Sequence, residues 1–110
     1  MRIVQGQDNL KIEVELTGQV TENMMTDATN KEIAYEYKSY DGSTMDSGSW
    51  DADGYFMEDD VPVIHYTFKG DDAIPGSARY LRGRAVITNS DGRIAKGKVF
   101  TIDIQPDELI

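Results

Sequence analysis

The chain has 110 residues, enough for one hydrophobic core and too few for two, and its hydrophobic content of 39% is that of a chain that folds. Its 20 Asp and Glu against 11 Lys and Arg give a formal charge of −9. That sign is wrong for neutralising phosphates and excludes nucleic acid and anionic membranes as expected partners. The absence of cysteine excludes disulfides, thiolate zinc sites and cysteine nucleophiles.

Met1-Arg2-Ile3-Val4-Gln5-Gly6 contains no apolar run of signal-peptide length, and nothing later approaches the roughly 18 apolar residues of a membrane-spanning helix. The expectation is a protein folded in a cytoplasm and not secreted by a signal peptide. From Leu10 the sequence alternates, with Leu10, Ile12, Val14 and Leu16 apolar and Lys11, Glu13 and Glu15 charged, as in a half-buried strand. Thr17 to Asn30 is polar apart from Met24-Met25 and reads as a connection whose methionines tuck over an end of the core. Ile33, Tyr35 and Tyr37 then alternate with Glu36 and Lys38 up to a turn at Asp41-Gly42.

Ser43 to Asp53 is polar apart from Met45 and Trp50, and Trp50 marks a short strand. Val61 to Phe68 reads as a strand with Ile64, Tyr66 and Phe68 on one face, Pro62 favouring its start. The clearest hairpin has Arg79 to Thr88 as its first arm, a turn at Asn89-Ser90-Asp91-Gly92 and Arg93 to Ile104 as its second arm. Leu81, Gly83, Ala85 and Ile87 face one way on the first arm, and Phe100, Ile102 and Ile104 on the second. Short strands, frequent turns and no stretch of 3.6-residue periodicity give an all-β fold, a single antiparallel β-sandwich of about seven strands over residues 1–110. Residues 1–5 and 105–110 flank it as short docking termini.

The succession of Gly6-Gln7-Asp8-Asn9 into the Leu10–Leu16 strand resembles one family in particular, together with Ile64-His65-Tyr66, Lys69-Gly70-Asp71-Asp72, Pro75-Gly76 and Ala78-Arg79-Tyr80. Asn89-Ser90-Asp91-Gly92 and the closing Lys98-Val99-Phe100-Thr101-Ile102-Asp103-Ile104 continue the pattern. The family is the immunoglobulin-like domains of tailed-bacteriophage structural proteins, above all the amino-terminal domain of siphophage upper-baseplate proteins. The resemblance implies an immunoglobulin-like sandwich and a non-enzymatic virion component, in tail, neck, baseplate or capsid decoration. It would be assembled in the host cytoplasm from copies of itself and neighbouring virion proteins.

Three groups of residues carry the chemistry that the sequence offers. Asp51, Asp53, Glu58, Asp59 and Asp60 bring five carboxylates into ten residues, an oxygen-rich run of the kind that holds calcium, although Tyr55 and Pro62 stand where an EF-hand loop has ligands. Trp50 and Tyr55 beside these acids suggest a sugar-stacking site. The alternative function is therefore a carbohydrate-binding or adhesive module, with calcium as its conceivable cofactor. Arg82, Arg84 and Arg93 form a basic concentration in an acidic chain, Arg82 and Arg84 on one strand face, and with Leu109 and Ile110 they are the candidate interface. No catalytic residues are expected: His65 is the sole histidine and no nucleophile-elbow motif accompanies it.

Overall fold

The structure is a computed structural model, which describes residues 2–4, 11–16, 20–68 and 74–105, with only the backbone of 2–4. Leu10, Lys69 to Asp72, Leu109 and Ile110 lie outside the described residues. In chain order the elements are β1 (Arg2–Val4), β2 (Lys11–Glu15), α1 (Glu22–Asp27), β3 (Ala28–Lys38), β4 (Thr44–Asp51) and β5 (Gly54–Glu58). They continue with β6 (Val61–Thr67), β7 (Tyr80–Asn89), β8 (Ile94–Lys96) and β9 (Phe100–Gln105).

These strands form two sheets. The smaller has the order β2-β6-β5, all antiparallel. The larger has the order β1-β9-β7-β3-β4, with β8 also paired to β7, and is antiparallel except where β1 runs parallel to β9. In immunoglobulin lettering, β2, β6 and β5 stand as B, E and D, and β9, β7, β3 and β4 stand as G, F, C and C′. The chain is an immunoglobulin-like β-sandwich, and the order of its strands, more than its composition, makes it one.

The core between the sheets is built from the alternations visible in the sequence. Ile12, Val14 and Leu16 come from the β2 side, Ile64, Tyr66 and Phe68 from the β6 side, and Leu81, Ala85 and Ile87 from β7, all buried. Ile102 and Ile104 are buried on β9, while Tyr35 and Phe100 are partly buried and pack against this cluster. Gly83, on the inner face of β7, is where the Phe100 ring lies, since a Cβ there would fall 2.6 Å from Phe100 Cζ. Pro62 sits at the start of the central strand β6 and offers only its carbonyl, which accepts from Leu16 N at 2.8 Å.

Several features differ from the sequence reading. Residues 2–4, expected within a flanking terminus, form strand β1 and pair with β9. The connection before β3 contains the six-residue helix α1, capped by Thr21, whose Oγ1 accepts from Met24 N at 3.3 Å. Met25 is buried under it and Met24 partly so, at the end of the core. One and a half turns are too few for a helical period to declare itself. The strand at Trp50 is eight residues long, and its exposed pattern reflects an edge position with Trp50 alone turned inward.

The second arm of the hairpin is interrupted. Between Val86↔Lys96 and Gly83↔Phe100, three residues, Gly97, Lys98 and Val99, stand opposite two, Arg84 and Ala85. This is a bulge, and it separates β8 from β9. The two Asp-Gly turns are alike: Gly42 N donates to Ser39 O and Gly92 N to Asn89 O, each at 3.0 Å, with both glycines at positive φ. Each closes a hairpin of the larger sheet as a turn followed by a left-handed glycine.

Candidate functional site

The acidic and aromatic segment from Trp50 to Asp60 crosses from one sheet to the other. Ala52 N donates to Lys31 O on β3 and Asp53 N to His65 O on β6, both at 2.8 Å, so successive amides fasten the corner to opposite sheets. The carboxylate of Asp53 accepts from Thr67 N at 2.8 Å and extends that fastening to the end of β6. The run then continues as a strand, β5, and not as a loop. Gly54-Tyr55-Phe56-Met57-Glu58 pairs with β6 from Gly54↔His65 to Glu58↔Val61.

That strand corrects the proposed calcium loop. Five residues at the rise of an extended chain set Asp53 and Glu58 about 17 Å apart along β5. Asp51 and Asp53 stand at one end, and Glu58, Asp59 and Asp60 at the other. Asp59 and Asp60 have φ of 49° and 63°, both left-handed, and form the two-residue turn between β5 and β6. Among the described residues no three His, Cys, Asp or Glu side chains converge as metal ligands do.

Trp50 is also placed otherwise than a sugar platform needs. It is buried at 6% exposure. The Tyr35 ring lies on it at 4.0 Å and 12°, and the Tyr66 ring at 5.1 Å and 7°, with Phe68 tilted against it at 4.9 Å. Both faces of the indole are taken by this stack, which ties β3 and β4 of one sheet to β6 of the other, so neither face can receive a sugar ring. Tyr55, half-buried, has Lys31 Nζ 5.8 Å from its ring centroid and its hydroxyl 3.4 Å from Thr26 Oγ1.

The arginines divide into two sites. Arg82 and Arg84 share the outer face of β7, as their spacing implies. Arg82 Nη1 stands 3.4 Å from Glu36 Oε1, its neighbour across the β3–β7 pairing, and both are partly exposed. Arg84 Nε donates to Gly97 O at 3.1 Å, closing the bulge with a side chain. Around them is a shallow depression of about 190 Å³ floored by Ala34 and Gly83 and edged by the half-exposed Val99.

Arg93 is not part of this face. Its carbonyl accepts from Asn89 N at the far turn, five residues beyond Arg84, or about 17 Å along the strand. There its Nε pairs with Asp91 Oδ2 at 3.3 Å. The register of the hairpin, which the sequence left open, decides this separation.

One titrating group stands out among the turns. Asp41 accepts hydrogen bonds from the Ser39 hydroxyl and, at 2.9 Å, from Ser43 N. The Ser39 hydroxyl, followed by Ser43, holds its carboxyl down from 3.8 to about 2. The sequence marked Asp41 only as a turn residue, and the flanking serines in Ser39-Tyr40-Asp41-Gly42-Ser43 were the available signal.

No protein-family model and no curated protein matches the chain. Among solved structures, the crystal structure of CopC from Methylosinus trichosporium OB3b is similar at 13% sequence identity and a TM-score of 0.45, over 99% of this chain and 88% of that one.

Proposed function

We propose that this chain is a non-enzymatic structural component of a tailed-bacteriophage virion, acting by assembly with copies of itself and with neighbouring virion proteins. The virion part of this reading rests on the resemblance carried by Ile64 to Ile104 and the opening Gly6 to Leu16. The assembly part is supported by one observation, that Arg82 and Arg84, with Glu36 beside Arg82, lie on a different face from the acidic hairpin tip of the smaller sheet. The arginines Arg82 and Arg84 lie on the outer face of the larger sheet, whereas Glu58, Asp59 and Asp60 stand exposed at the hairpin tip of the smaller one.

Complementary patches on different faces cannot neutralise each other within one molecule. They can do so between molecules held in register by a larger particle, where close charge pairs add to apolar contact. The half-exposed Val99 beside Arg84 supplies an apolar element on the same face. The carbohydrate-binding alternative loses its platform with Trp50 enclosed.

The test is incorporation into particles when the protein is expressed with the genes adjoining its own. Arg82→Glu is expected to lower incorporation at unchanged thermal stability, because an exposed ion pair contributes little to folding. Combining it with Glu58→Lys and Asp59→Lys is expected to restore part of the loss. A protein that never co-sediments with particles would overturn the virion reading, and normal incorporation of Arg82→Glu would overturn the charge-pairing one.

A further inference from the structure

The two sheets leave an opening along one side of the sandwich. Among the described residues, strand β2 is the edge of the smaller sheet and pairs with β6 alone. Across the opening, β9 is paired with β1 only over Asp103, Ile104 and Gln105, so its first half also lacks an outer neighbour among the described residues. Between them runs a groove of about 510 Å³. Ile12, Val14, Phe100 and Ile102 line its apolar depth, and Glu13, Glu15 and Lys98 stand along its rim.

The hydrogen-bonding phase of both strands follows from single bonds. Leu16 N donates to Pro62 O, and antiparallel pairing alternates, so Ile12 and Val14 turn their backbone groups toward β6 while Lys11, Glu13 and Glu15 turn theirs toward the open edge. Likewise Ile104 N donates to Arg79 O, which directs Ile102 and Phe100 toward β7 and Thr101 toward the opening. The bulge at Gly97 to Val99 bends the chain beside it, and a Cβ on Gly97 would come 3.3 Å from Leu16 Cδ2, so the groove ends where the bulge meets the other sheet.

We infer that this groove accepts an extended segment of a partner protein as an added strand on β2, a segment in which apolar residues alternate with lysine or arginine. The amides and carbonyls of Lys11, Glu13 and Glu15, unpaired among the described residues, supply the main-chain ladder that strand addition uses. Alternate side chains of the added strand enter the groove over Ile12, Val14, Phe100 and Ile102. The others lie on the outer face opposite Glu13 and Glu15, which are exposed. Glu13 has Lys11 at 3.7 Å, with both ends half exposed, and stands opposite His65 across the β2–β6 pairing. A basic residue at those positions complements the edge, and an acidic one repels it. The inference goes beyond the virion reading, since it holds for any partner of this chemistry.

The probe is a synthetic peptide of about seven residues, the length of an ordinary strand, in which valine alternates with lysine. A second peptide alternates valine with glutamate. With the full chain labelled for amide NMR, the valine-lysine peptide is expected to shift the amides of Lys11, Glu13, Glu15 and Thr101 and to slow their hydrogen exchange. The variant carrying Glu13→Lys and Glu15→Lys should keep the fold and lose affinity roughly fivefold or more, as two exposed charge pairs imply. Equal binding of the two peptides, shifts confined to another surface, or no shift in large peptide excess would each overturn the inference. Protection of the same amides by raising protein concentration without peptide would also overturn it, because the occupant would then be a second copy.

Discussion

The two ends of the acidic stretch use the same residue types in opposite ways. At Trp50 to Asp53 most groups are committed, Asp51 being the exposed exception: the indole lies between Tyr35 and Tyr66, the Ala52 and Asp53 amides reach opposite sheets, and the Asp53 carboxylate holds Thr67 N. At Glu58 to Asp60 the side chains stand in water and the backbone of two of them is left-handed. The first end fastens the sheets together, whereas the second only turns the chain. A run of carboxylates is thus no unit of function when a strand passes through its middle, because extension carries its two halves apart.

The comparison breaks most sharply at Trp50. Trp50→Ala removes the middle ring of a stack that spans both sheets and is expected to cost about 3–5 kcal/mol, seen as a lower midpoint of denaturant unfolding followed by circular dichroism. A midpoint within error of the parent would mean that the stack does not hold the sandwich. Asp53→Ala is the next largest, with an expected loss of about 1 kcal/mol, since Thr67 N loses an ionised acceptor in a place that water can reach. Glu58→Ala in the same assay should stay within about 0.5 kcal/mol of the parent, as surface substitutions do. Equal losses at Asp53 and Glu58 would erase the distinction between the two ends.

The fold was largely legible because its inner strands alternate. Leu10 to Leu16, Ile64 to Phe68 and Leu81 to Ile87 declared their inward faces, and the described residues among them lie in the core. The two Asp-Gly turns were equally plain, since glycine is the residue that a left-handed position favours. What failed to register had physical causes. Strand β4 shows one buried residue in eight and so carries no period. Strand β5 was hidden inside the acidic run, and with it the separation of the carboxylates. Sharing of a face by Arg82 and Arg84 follows from parity alone, whereas the position of Arg93 depends on register and bulge, which parity does not fix. The rings on Trp50 come from the strand before it, Tyr35, and from the other sheet, Tyr66, so its enclosure depends on register and sheet packing that no local pattern carries.

The turn at the second end offers a change of opposite sign. Asp59 and Asp60 both hold positive φ, a conformation that asparagine and glycine adopt more readily. Asp59→Asn combined with Asp60→Gly is expected to stabilise the domain by roughly 0.5 kcal/mol, the relief of strain being offset in part by the freer unfolded chain. The thermal midpoint would rise slightly. A fall would show that these carboxylates contribute something at the turn beyond its geometry.

Asp41 sharpens the comparison from outside the acidic stretch, because it is an exposed carboxylate in a turn, as Asp59 and Asp60 are, yet it is bonded as Asp53 is. The Ser39 hydroxyl and Ser43 favour its charged form and hold its carboxyl at about 2, below the ordinary 3.8. A carboxyl whose folded value is depressed stabilises the fold above its unfolded value, and that contribution is lost as pH falls from about 4 through 2. Ser39→Ala removes the larger cause, and the Asp41 midpoint, followed by carboxyl-carbon NMR, should move up toward the ordinary value. Asp41→Asn should in turn flatten the fall in stability across the same interval, since asparagine has no proton to take up. An Asp41 midpoint unchanged by Ser39→Ala would mean that the serine hydroxyl does not bind the carboxylate in solution, and the turn would then be held by Gly42, by the backbone bonds Gly42 N to Ser39 O and Ser39 N to Ser43 O, and by Ser43 N on Asp41.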